Sequence, residues 1–206
     1  MIAILDVPGG GAQALLRAFQ RLDADVQAAS SIADVKHAAK IVIPDSNSFP
    51  GLIRWLRDSH LVGPILLAAE QGRPILGVGR GLHLLFDVCH DDGQHTGLGL
   101  IPGKVIPLDL GRHPAAQHFL IPHRGPNQVR WAGDGPLTSG LPSGEFFFFD
   151  HAAHAEPLDT AHVGATCNHG IDFCALAWRE RIFGVQFLPE KSEAAGLKVL
   201  GNFAGL

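Results

Sequence analysis

Apolar and polar positions keep one rhythm in the first half of the chain and a different one in the second. Ile2-Ala3-Ile4-Leu5 is a continuous apolar run of strand length, and Ala12–Leu22 follows with apolar residues at helical spacing. Asp25–Ala28 and Ile41–Pro44 read as further strands, and Leu52–Leu61 as a helix with Arg54 and Asp58 on its polar side. Val62–Gln71 comes next, then the strand Pro74-Ile75-Leu76. The helix after it holds Leu82, Leu84, Leu85 and Phe86 at helical spacing and is expected to reach Cys89. Such alternation predicts a parallel sheet with helices on both faces. The second half is expected to hold short strands at Lys104–Leu108, Gln128–Trp131, Phe146–Phe149, His162–Thr166, Phe173–Trp178 and Arg181–Phe187. Ser192–Ala204 closes the chain as a helix, with Ser192 as its N-cap. The run Phe146–Phe149 predicts a strand buried on both sides, or on one side with a partner against the other.

The strand-to-helix turn Gly77-Val78-Gly79-Arg80-Gly81 is the most informative local feature. A Gly-x-nucleophile-x-Gly elbow lifts a Ser or Cys onto a sharp turn at a helix start, because small neighbours allow close approach. Here the middle residue is Gly79, which offers no nucleophilic atom.

Several segments resemble the class I glutamine amidotransferases, and most of all the glutaminase subunit of imidazole glycerol phosphate synthase. They are Gly77 to Phe86, Gly97-Leu98-Gly99-Leu100-Ile101 with Pro102-Gly103, Ile121-Pro122-His123 with Asn127-Gln128-Val129, and Ile182 to Ser192. The likeness runs from Ile2 to Phe203. It implies a flavodoxin-like α/β fold with a mixed, mostly parallel sheet, in a single domain over 1–206. Functional loops are then expected at strand C-termini, where Asp45, Gly79 and Leu188 all fall.

The resemblance also implies a Cys, His and Glu triad that hydrolyses glutamine, with the Cys on Gly79, the His on Leu188 and the Glu on Glu190. Only the acid keeps its type. The family's glutamine-contacting Gln falls on His83, and the glycines of its oxyanion segment fall on Asp45 and Asn47. Losing nucleophile and base together leaves only binding and oxyanion stabilisation. An ionised Asp45 repels a developing oxyanion, while Asp and Asn tolerate positive φ, so the turn itself is expected to survive. Cys89, Cys167 and Cys174 are read as small buried hydrophobes rather than as a replacement thiol. Arg80 has three readings: pairing with Asp45 or the surroundings of His83, offering a guanidinium to an anionic ligand, or pointing into solvent.

The glycine turn Pro8-Gly9-Gly10-Gly11 satisfies a loose dinucleotide fingerprint through Gly9-x-Gly11-x-x-Ala14, but the nearest following acid, Asp34, sits in the first turn of a helix. A flexible turn is the plainer reading, and no cofactor is expected. By resemblance, Gly10 and Gly11 belong to the loop that meets a β/α-barrel cyclase, together with His123, Pro126, Asn127, Lys191 and Ser192. Pro126 replaces the family's Trp, Ala152-Ala153-His154 replaces Ser-Tyr-Tyr, and the chain has no tyrosine, so the contact loses aromatic anchors.

Twelve histidines raise the question of a metal: His151 and His154 at i and i+3, the loop set His113, His118 and His123, and the pair His90 and His95. Solvated loop surface is the plainer account, and no metal is expected. With 46% apolar and 17% charged residues, the chain has less charge than the usual quarter or so, as suits a compact domain or one with a covered surface. Net charge −4 without a basic cluster excludes nucleic acid. No membrane-length apolar run or basic leader is present, and three unpaired cysteines fit a reducing compartment, so the expected location is cytoplasmic. The functions left open are a pseudo-glutaminase that binds or regulates a cyclase-type partner, a protein of changed chemistry acting on an anionic small molecule, and a retained glutaminase.

Overall fold

The computed structural model describes residues 1–111 and 118–206, so His113 lies outside the described residues. In the first half, β1 (Ile2–Leu5), α1 (Ala12–Gln20), β2 (Val26–Ala29), α2 (Ile32–His37), β3 (Lys40–Ile43), α3 (Phe49–Asp58), α4 (Val62–Glu70), β4 (Ile75–Val78) and α5 (Arg80–Leu84) alternate as the periodicity predicts. The second half holds β5 (Phe86–Cys89), β6 (His95–Thr96), β7 (Ile101–Pro107), β8 (His123–Trp131), β9 (Glu145–His151), β10 (Ala153–Pro157), β11 (Val163–Asn168), β12 (Asp172–Arg179), β13 (Ile182–Val185) and α6 (Glu193–Ala204).

These strands form one mixed sheet. Its parallel part runs β2-β1-β3-β4-β13, and the order continues through antiparallel β12, β10 and β7 to β5 and β6. Strand alternation divides the core in two. Ala3, Leu5, Ile41, Ile43 and Ile75 face α2 to α5, while Ile2, Ile4, Val42, Leu76 and Val78 face α1 and α6. Each fully buried Leu or Ile contributes about 1.5–3 kcal/mol, so the two apolar layers fix the strand ends that carry the site.

Two expectations change and a third is narrowed. The elbow helix stops at Leu84, and Phe86–Cys89 is a strand parallel to β7. The carbonyls of Leu84, Leu85 and Phe86 accept from the N–H groups of Leu98, Leu100 and Gly99, so they are unavailable to a further helical turn. Gly97 permits this approach, since a Cβ there would lie 2.1 Å from the Phe86 carbonyl oxygen. Ser192 precedes α6 without capping it: its hydroxyl donates to Leu188 O at 2.7 Å and accepts from Phe148 N at 2.9 Å. In β9 the phenylalanines alternate, with Phe147 and Phe149 buried, Phe148 partly buried and Phe146 56% exposed. One face of that strand is therefore open.

Candidate functional site

Three strand ends converge on the elbow. β3 leads into Pro44-Asp45-Ser46-Asn47, β4 into Gly79, and β13 into the segment Gln186–Glu190. Gly81 brings the start of α5 against the end of β3, because a Cβ there would sit 2.1 Å from Ile43 O. Gly79 has φ 56° and ψ −117°, a conformation that L side chains rarely adopt. The elbow keeps its backbone strain without a side chain to present.

Asp45 occupies the space in front of Gly79. A Cβ at position 79 would lie 2.6 Å from Asp45 Oδ1 and 2.7 Å from its Cγ. The same Oδ1 accepts from the backbone N–H of Arg80 at 2.9 Å, and the N–H after an elbow nucleophile is a usual oxyanion donor. Neither Asp45 nor Asn47 has positive φ, so the turn does not draw on their tolerance of the left-handed region. Burial raises the Asp45 carboxyl above its ordinary range, and the Arg80 N–H and guanidinium pull against that rise.

Arg80 does not point freely into solvent. Its Nε donates to Asp91 Oδ2 at 3.1 Å, its guanidinium donates to Ser46 O at 2.9 Å, and Asp45 Oδ1 lies 3.7 Å away. Its charge is matched by two carboxylates inside the fold. His83 is buried, with Nε2 2.9 Å from Gln186 Oε1 and Nδ1 3.9 Å from Asp91 Oδ2. Burial pushes its pKa down to about 4, against the opposing pulls of Gln186 and Asp91, so the ring is neutral at pH 7.

Leu188 forms an apolar wall on the other side. It is 2% exposed, belongs to the core that holds Phe147, Phe149 and Phe187, and is tied by its N–H to Phe148 O at 2.8 Å. Glu190 is thereby left without an imidazole. Its Oε2 is buried with no hydrogen-bond partner, and burial pushes its pKa up to about 7. Cys89, Cys167 and Cys174 are all free and buried, and burial pushes each thiol up to about 12. Cys89 Sγ accepts from Asp91 N at 3.5 Å, and the other two thiols face backbone carbonyls, so none is paired with an imidazole.

Gly79, Asp45, Arg80, His83 and Glu190 thus gather around one spot, while Asn47 is exposed at its rim. The residues assigned to a partner contact divide. Gly11 reaches the elbow, donating its N–H to Asp45 O at 2.9 Å, and Gly10 donates to Val7 O. Those two N–H groups are committed within the fold, and the Asp34 carboxylate closes a capping box with Ser31. Pro126, Lys191 and Ser192 line a separate cleft of about 390 Å³ with Phe146 and Phe148, and Lys191 Nζ sits 5.6 Å from the Phe148 ring centre. Pro126 pairs in register with Phe148, so the position without its Trp lies opposite an aromatic residue. His123 and Asn127 point away from this cleft into a chain of histidines.

Asp91, Ser46 and Gln186 were not singled out from sequence. Asp91 reaches Arg80 because β5 turns back beside the elbow, and no local spacing reports such a return. Among the described residues, no group of three His, Cys, Asp or Glu side chains is placed to hold a metal, and no helix is long and apolar enough to cross a membrane.

No family model matches the chain. The imidazole glycerol phosphate synthase subunit HisH of Syntrophotalea carbinolica is 35% identical over 206 residues, covering 100% of both chains. The subunit of the same name from Moorella thermoacetica is 36% identical over 100% of this chain and 94% of its own length. Among solved structures, a glutamine amidotransferase crystal structure superposes with TM-score 0.76 at 15% identity, over 100% of this chain and 99% of its own. The structure of PurLQS from Thermotoga maritima gives TM-score 0.73 at 16% identity, over 99% and 97%. These two structures share the fold, a class I glutamine amidotransferase-like mixed sheet. Identity above one third along the whole chain carries more than fold, and the protein belongs to the imidazole glycerol phosphate synthase subunit HisH family.

Proposed function

We propose that this chain, acting as one cytoplasmic domain over 1–206, is a glutaminase-silent member of its family that works by binding a β/α-barrel cyclase-type partner, as scaffold or regulator. One observation carries the reading: the two positions that need a thiol and an imidazole hold Gly79 and Leu188, with an Asp45 oxygen 2.6 Å from where a Cβ on Gly79 would stand. Hydrolysis of an amide by covalent catalysis requires a nucleophile with an imidazole beside it, and positions 79 and 188 supply neither. The buried, unpartnered Oε2 of Glu190 fits an orienting acid whose histidine has gone. The partner contact rests on the family's assignment of Pro126, Lys191 and Ser192, which meet in one cleft beside the half-open aromatic face of β9.

The reading that assigns the pocket to an anionic small molecule has less support, because Asp45 and Asp91 already neutralise Arg80. Co-elution of the purified chain with the cyclase-type barrel from the same cell tests the proposal. A stable complex without glutamine turnover is the expected result. A chain that stays alone at micromolar concentration contradicts the scaffold role, and turnover contradicts the silence.

A further inference from the structure

A second polar assembly lies under the β8–β9 hairpin, outside the elbow. His123 opens β8 and pairs in register with His151 at the end of β9. His123 Nδ1 lies 2.9 Å from His151 Nε2, and His151 Nδ1 lies 2.8 Å from Ala153 O. At the other end, Asn127 Nδ2 lies 3.2 Å from His123 Nε2 and donates to Asn168 O at 2.9 Å, while Asn127 Oδ1 accepts from Gln128 N at 2.8 Å.

These partners fix every proton in the chain. A carbonyl only accepts, so His151 Nδ1 carries hydrogen and its Nε2 is bare. His123 Nδ1 must then donate to that nitrogen. The Asn127 amide is oriented by two backbone groups and turns a hydrogen toward His123 Nε2, which is therefore bare as well. The result is a one-way relay from Asn127 through His123 and His151 to Ala153 O. An added proton on either ring would point at a hydrogen already in place, and the relay would have to break to admit it.

Among the described residues, no carboxylate stands within 4.0 Å of either ring to hold a cation there. His169 stacks on His123 with centroids 3.9 Å apart, Phe149 stacks on its ring at 4.7 Å, and Phe173 stands edge-on to His123 and tilted against His151. His83 on α5 and His154 on β10 face His151 as further imidazoles. The nearby charged pair Arg124 and Asp150 is closed on itself at 3.5 Å, and Asp172 accepts from Asn168 Nδ2. Among the described residues, the only carboxylate within 4.0 Å of a histidine nitrogen is Asp91, and it lies beside His83.

We propose that the Asn127–His123–His151–Ala153 relay is a proton-sensitive clasp that holds the β8–β9 hairpin closed while both rings are neutral and releases its end when either is protonated. The hairpin carries Pro126 and Phe148, so acidification loosens the face that the proposed function assigns to a partner; the clasp itself does not depend on that assignment. Burial, which pushes His123 down to about 4 and His151 well below its ordinary value, is consistent with neutral rings at pH 7.

Two measurements on the isolated full-length chain test the clasp. Nitrogen-15 spectra of the imidazoles at pH 7.5 should show His151 and His123 both as neutral Nδ1–H tautomers. Amide exchange, corrected for its intrinsic pH dependence, should show Gly125, Asn127, Gln128 and Phe147–Phe149 losing protection relative to β1 as pH falls below 6.5. The slope should be up to about tenfold per pH unit for each proton taken up. His123→Phe with His151→Phe should flatten that slope, and His151→Gln serves the same purpose if the pair fails to fold. Either ring protonated with hairpin protection intact overturns the proposal, as does protection that tracks β1 at every pH. Both readouts are independent of glutamine turnover and of any partner.

Discussion

The two sides of the elbow are closed by different physics. On the Gly79 side the space is filled by charged groups: Asp45 and Asp91 flank Arg80, and Asp45 takes up the Arg80 N–H. On the Leu188 side it is filled by apolar packing with Phe187 and the buried phenylalanines of β9. The difference teaches that backbone and side chains answer to separate constraints. The φ of 56° at Gly79 is held by close approach of α5 to the strand ends, so it persists without a nucleophile to display. The side chains follow whichever neighbour is available, ionic at one wall and hydrophobic at the other.

The comparison breaks most sharply at position 79. Gly79→Cys in the native background should cost about 3 kcal/mol, from the positive φ and the collision with Asp45. Asp45→Gly in the same chain should recover a large part of that loss, so a double-mutant cycle by urea unfolding should give a coupling of about 1–2 kcal/mol. Additive effects would mean that Asp45 does not fill the space.

At the apolar wall, Leu188→Ala should cost about 2–4 kcal/mol by the usual cavity and transfer terms. Unlike changes to Asp45 or Arg80, that cost should be the same in low and high salt, because dispersion and burial are not screened. A salt-dependent loss at Leu188 would erase the distinction between the two sides.

Glu190 gives the smallest and most directional effect. Its carboxyl is raised from 4.5 to about 7 in the folded chain, so the folded state binds a proton that the unfolded state has released between those values. Stability contributed by the neutral acid is complete below pH 4.5 and is lost as pH rises through 7. Glu190→Gln, a neutral isostere, should therefore raise the melting temperature at pH 8 by about 2–4 °C and change little at pH 4.5. A larger gain at low pH would reverse the assignment.

What the sequence revealed follows from the range of each interaction. The β-α alternation from Ile2 to Val78 and the elbow were legible, because period and glycine spacing are local signals. The end of α5 was not: Leu84, Leu85 and Phe86 keep helical spacing, and what stops the helix is a segment more than ten residues away that takes their carbonyls. β10 was missed because Ala153-His154-Ala155-Glu156-Pro157 has little strand propensity and is held by its five-residue register with β7. The elbow positions Gly79 and Leu188 could be singled out by resemblance, but the Asp45, Arg80 and Asp91 network could not, since Asp91 lies in the turn after β5, a stretch whose spacing reads as helix. Ser192 looked like a helix cap because nothing local shows that Phe148 claims its hydroxyl.

Ammonium release from L-glutamine by the purified native chain, measured alone and with a cyclase-type barrel added, tests the central claim most directly. The account predicts a rate no greater than buffer in both cases. Release that scales with the amount of protein and co-elutes with it through successive purification steps would contradict it.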